Sequence, residues 1–82
     1  MIFAVCKTLE GGYKTDQKFL RESGIKVGDR IEMDSAQIRA GGETLIWLNG
    51  YDDHFNAMYF DFETEQGEII DLHLMYELDE WE

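Results

Sequence analysis

Asp61, Glu63, Asp71, His73 and Tyr59 are the residues whose types and spacing carry the most chemistry in this sequence. They lie in two segments, 55–63 and 69–76, rich in the apolar and aromatic residues of strands and separated by Thr-Glu-Gln-Gly. With Glu65-Gln66-Gly67 as a three-residue loop and Gly67 in the left-handed position, one register places the large apolar side chains on a single face. Phe62 then faces Ile70, Phe60 faces Leu72 and Met58 faces Leu74 on the core side. The outer side pairs Glu63 with Ile69, Asp61 with Asp71 and Tyr59 with His73. Two carboxylates directly across a strand pair repel by several tenths of a kcal/mol, roughly the size of any cross-strand term. A local rule broken without visible compensation marks a candidate site, although an outer face on which solvent screens both acids is the plainer explanation.

Three chemistries fit the patch. Asp61, Asp71 and His73 offer oxygen and nitrogen donors to a divalent metal, but no HExxH, paired CxxC or twelve-residue calcium loop supports one, so no metal ligand is assigned. Alternatively, acids at alternate strand positions are about 6.7 Å apart, a spacing comparable to neighbouring phosphates. Asp61, Glu63 and Glu65 then form a row that imitates a nucleic-acid backbone, extended by Asp52, Asp53, Asp71 and the tail acids Glu77, Asp79, Glu80 and Glu82. Finally, the same acids can dock another basic protein, with Tyr59 or Trp81 as the aromatic anchor. His54, beside Asp52 and Asp53, reads as a solvent-facing loop residue, and Trp47 as core.

Catalysis has little support. GxSxG, P-loop and GxGxxG motifs are absent, and Cys6 sits in an apolar run away from any His. A paired-carboxylate hydrolase needs a cleft that about 80 residues seldom provide. No enzyme activity, catalytic residue or cofactor is therefore expected.

These residues are held by a chain of 82 residues, the length of a single domain spanning 1–82. Its 44% apolar and 13% aromatic content suffices for a core and excludes a disordered tail. All seven Lys and Arg residues lie in positions 1–39 beside six acids, whereas positions 40–82 hold twelve acids and no Lys or Arg. The net charge is −11. Such a field repels phosphate backbones and anionic membranes and attracts basic protein surfaces, so neither direct nucleic-acid nor membrane binding is expected. The lone Cys6 in an apolar run suits a buried thiol in a reducing compartment. The start lacks the features of a signal peptide, and no run approaches the roughly 20 apolar residues that span a bilayer, so a cytoplasmic location is expected.

Proline is absent, and glycines punctuate the chain. Residues 2–9 read as a strand ending at Gly11-Gly12. Residues 15–22 read as a two-turn helix with Thr15 or Asp16 as N-cap, Phe19 and Leu20 facing inward and Gly24 as its stop. Ile25 to Arg30 carries a Gly-Asp turn before a strand from 30 to about 40. Gly41-Gly42 and Asn49-Gly50 supply hairpin turns. Residues 45–48 are apolar on both faces, as in a central strand, and 51–54 form a polar loop. The spacing predicts a mainly β chain of five or so antiparallel strands with one short helix. A small half-open SH3-like barrel fits, with an OB-like barrel as alternative.

The segments Gly-Ile-Lys-Val-Gly-Asp-Arg-Ile-Glu-Met (24–33), Leu-Ile-Trp-Leu (45–48) and Phe-Asn-Ala-Met-Tyr-Phe-Asp-Phe (55–62) resemble small acidic proteins encoded by phages and prophages of Gram-positive bacteria. The resemblance covers about two-thirds of the chain and rests on strand and turn residues. It departs at the acidic C-terminus and brings no catalytic residues to carry over. It implies a shared fold and a setting, the cytoplasm of a host cell. The expected function is that of a non-enzymatic acidic phage accessory that binds and inhibits a basic host protein, as a nucleic-acid mimic in its sharpest form. A structural or assembly protein that forms homo-oligomers through an open strand edge is the alternative, and a divalent-metal-binding protein the second.

Overall fold

The first apolar run, Ile2–Cys6, forms strand β1, and the pleat sends Ala4 and Cys6 into the core while Phe3 and Val5 face outward. The computed structural model describes residues 1–72. After β1 come helix α1 (Lys14–Glu22), β2 (Arg30–Ile38), β3 (Thr44–Leu48), β4 (His54–Asn56), a 3-10 turn (Ala57–Tyr59), β5 (Phe60–Thr64) and β6 (Ile69–Ile70). The strands make one antiparallel sheet in the order β4-β3-β2-β1-β5-β6. The mainly β architecture with one short helix is thus as expected. Among the described residues β4 and β6 do not pair, so the sheet is consistent with a half-open barrel of the SH3-like or OB-like kind without being closed.

A bulge in β2 keeps its apolar residues on the core side. Met33 pairs with Leu48 and Ser35 with Trp47, so Asp34 is the extra residue. Before it the inward positions are Ile31 and Met33; after it they are Ala36 and Ile38. Strict alternation would have turned Ala36 and Ile38 to the outer face.

Several boundaries and orientations differ from the sequence expectation. β1 ends at Cys6, before residue 9, because the Thr8 hydroxyl accepts the Glu10 N–H at 3.1 Å in a local turn that competes with the ladder. Helix α1 is capped by Tyr13, without a side-chain hydrogen bond, and not by Thr15 or Asp16. Both residues lie inside its first turn, where the helix dipole favours the Asp16 charge. Gly24 stops the helix at φ +86°, its N–H donating to the Arg21 carbonyl, as expected. Leu20 is buried, but Phe19 is partly exposed and rests its ring on Phe55, with centroids 5.3 Å apart. Trp47 is half-buried and not a core residue; it lies on the face opposite Ile46 and Leu48, against the ring of His54. His54 is exposed, as expected, but opens β4 and is not in a loop.

The largest correction concerns residues 55–63, which are not one strand. The Asn56 side chain accepts the Met58 N–H at 3.0 Å and turns Ala57–Tyr59 into a 3-10 segment between β4 and β5. Three residues of 3-10 geometry change the phase of the alternation. Met58 therefore points outward, 42% exposed, and Tyr59 inward, 1% exposed.

Candidate functional site

The loop Glu65-Gln66-Gly67 forms as expected: the Gly67 N–H donates to the Thr64 carbonyl, the Thr64 N–H to the Glu68 carbonyl, and Gly67 has φ +87°. Phe62 pairs with Ile70 and Glu63 with Ile69, in the expected register. The ladder stops there. Asp61 and Asp71 are not a cross-strand pair, nor are Phe60 and Leu72, because β6 ends at Ile70. Continued pairing would set two carboxylates opposite each other; instead Asp61 lies 3.5 Å from the Lys7 ammonium. The expected partners His73 and Leu74, the tail acids Glu77, Asp79, Glu80 and Glu82, and Trp81 lie outside the described residues.

Compensation for the acids comes from the other neighbour of β5. β1 pairs along its whole length with β5, setting Val5 opposite Asp61 and Phe3 opposite Glu63. On its far side β1 pairs with β2, setting Val5 opposite Arg30. The Arg30 guanidinium reaches over the Phe3 ring, 3.8 Å from its centroid, and its Nε donates to Glu63. Its Nη2 donates to the Thr64 and Glu65 carbonyls at 3.1 and 3.3 Å. Glu65 lies 3.6 Å from the terminal amine of Met1. Each acid in the row Asp61, Glu63, Glu65 thus has a cation beside it. Sequence reasoning missed Lys7, which directly follows β1, and Arg30, which opens β2, because strand order, unlike hairpin register, is not written in neighbouring residues.

Tyr59 is not part of this surface. Its hydroxyl crosses the core edge to donate to the Gly11 carbonyl at 2.7 Å. Burial, and secondarily the Asp16 charge, push its pKa above the ordinary tyrosine value. Asp71 is exposed and lines, with Lys7 and Asp61, an open cavity of about 1140 Å³. Asp52 and Asp53 are exposed in the bend before β4, apart from the β5 acids. The structure therefore brings Asp61, Glu63 and Glu65 together and separates Tyr59, Asp52 and Asp53 from them.

Among the described residues no group of three His, Cys, Asp or Glu side chains is placed to hold a metal ion. Cys6 is buried, its thiol donating to the Thr8 carbonyl at 3.5 Å, and burial pushes its pKa up, away from a reactive thiolate. No helix among the described residues is long and apolar enough to cross a membrane.

The model of the bacteriophage T4 protein Y07B family matches residues 1–79, nearly the whole chain. The chain belongs to that family. The match supports a small phage-encoded protein, the coarser part of what the sequence resemblance implies. No curated protein and no solved structure matches the chain.

Proposed function

We propose that this chain is a non-enzymatic phage accessory that works in the host cytoplasm by binding and inhibiting a basic host protein. The observation that carries the reading is the charge layout: described positions 40–72 hold eight acids and no Lys or Arg. Asp52, Asp53 and Glu68 of this stretch form no ion pair with a described residue. A field of that sign attracts basic surfaces and repels nucleic acid itself. In its sharper form the reading is nucleic-acid mimicry, with the partner's phosphate-binding groove as the target. The row Asp61, Glu63, Glu65 serves this less well than its spacing implies, because Lys7, Arg30 and the terminal amine stand beside it.

A pull-down from host lysate at low and high salt, with and without added duplex DNA, tests this reading. The Gram-positive host rests on the sequence resemblance alone, so lysates of Gram-positive and Gram-negative cells are compared. Recovery of a nucleic-acid-handling protein that salt and DNA both displace is the expected result. Recovery of a basic protein indifferent to DNA removes the mimicry and keeps the inhibitor. Recovery of only the chain itself or of virion proteins overturns both in favour of assembly. That second reading is favoured by β6, a two-residue edge strand whose Ile69 is 71% exposed.

A further inference from the structure

A cleft of about 350 Å³ opens between α1 and the end of the sheet. Its apolar lining comes from Phe19 and Leu20 of α1, Leu45 of β3, Phe55 of β4 and Tyr59. Three carboxylates, Asp16, Glu43 and Asp53, line it as well, with no Lys or Arg among the lining residues. None of the three forms an ion pair with a described residue.

Helix α1 keeps its own cations away. At about 100° per residue, Lys14, Lys18 and Arg21 fall on one stripe, and Asp16, Phe19 and Leu20 on the opposite side. Lys18 is further occupied by Glu22, 4.0 Å away. The rings of Phe19 and Phe55 stand 5.3 Å apart, and Phe19, 41% exposed, offers aromatic surface at the opening. Aromatic surface beside unpaired carboxylates matches a cation carried on an apolar stem. The larger cavity, lined by Lys7 and Arg39 as well as acids, lacks that complementarity.

We infer that this cleft receives an arginine side chain of the basic partner protein. This rests on the reading of the chain as an acidic binding protein and names where that binding is anchored. The stem lies along Phe19 and Phe55, and the planar guanidinium presents its fork of donors to the carboxylates, which a compact ammonium cannot do.

The test titrates the full-length ¹⁵N-labelled protein with the blocked peptide acetyl-Gly-Arg-Gly-amide, followed by amide chemical shifts, with the citrulline peptide as the uncharged control. Saturable shifts around Asp16, Phe19, Leu45 and Phe55, absent with citrulline, are expected. Losing charge-assisted hydrogen bonds in D16N/D53N should weaken the arginine peptide at least about tenfold. Because Asp16 also serves the helix start, D53N alone, in an exposed bend and without an ion pair to a described residue, should weaken binding in the same direction without lowering the thermal midpoint. Saturable shifts centred on Asp61, Glu63, Glu65 and Glu68 overturn the cleft and leave the acidic binding protein standing. Non-saturable shifts spread over the surface, or equal binding of citrulline, overturn the cleft too, and the pull-down alone then decides whether a basic partner exists.

Discussion

The Tyr59 hydroxyl ties the turn after β1 to the 3-10 segment before β5, two places 48 residues apart in sequence. Its removal in Tyr59→Phe leaves the Gly11 carbonyl in an exposed turn where water replaces it, so the loss in urea unfolding should be about 1 kcal/mol, the net value of one hydrogen bond. The pH dependence has a definite sign. Burial, and then Asp16, raise the pKa in the folded state, so the folded protein holds this proton to higher pH than the unfolded chain. The associated stability is complete below the unfolded value of about 10 and is lost as pH rises from there through the folded value. The wild-type unfolding midpoint should accordingly fall more steeply than that of Tyr59→Phe between about pH 9.5 and 11. Parallel curves would mean that the hydroxyl is not shielded as its 1% exposure requires.

At the level of elements, what neighbouring residues determine was legible, and what distant ones determine was not. Gly67 after Glu-Gln specified a loop length, and the loop length specified the Phe62–Ile70 register, each a step between adjacent residues. The Asp34 bulge and the Asn56-capped 3-10 turn leave the composition of their segments strand-like, so simple alternation misplaces Ala36 and Ile38 in the first and Tyr59 in the second. The cations beside the candidate acids were invisible because β1 lies between β2 and β5 only in the folded sheet. The two glycines at positive φ near these features separate backbone demand from packing demand. A Cβ on Gly67 would meet nothing within 4 Å, so Gly67→Ala should cost only the left-handed penalty, about 1–2 kcal/mol. A Cβ on Gly12 would lie 2.6 Å from Met58 Sδ and 2.9 Å from Tyr59 Oη. Gly12→Ala therefore carries an overpacking penalty of about 1–3 kcal/mol on top of the same backbone cost. Equal losses for the two variants in denaturant unfolding would show that the turn is not packed on the 3-10 segment.

Across the whole molecule, a net charge of −11 acts on folding and on binding with opposite dependence on salt. Folding gathers the acids and makes them repel one another, and added salt screens that repulsion as the Debye length falls from about 10 Å at 0.1 M to about 3 Å at 1 M. Salt also weakens the favourable pairs, but the side chains of Lys7–Asp61 are about half exposed and those of Lys18–Glu22 more so, and such pairs contribute only about 0–1 kcal/mol each. With 18 acids against seven Lys and Arg, the unbalanced repulsion outweighs those pairs. The unfolding midpoint should therefore rise as sodium chloride is raised from about 0.02 to 0.5 M, whereas the affinity for a basic partner should fall over the same range. Sodium chloride is the appropriate salt, because sulfate strengthens apolar burial and would raise the midpoint of a neutral protein as well. A midpoint that falls would place the balance with Arg30, whose contacts to Glu63, Phe3 and two backbone carbonyls then outweigh the repulsion of the acidic face. In that case Arg30→Ala should remove the salt dependence, which a uniform acidic field cannot explain.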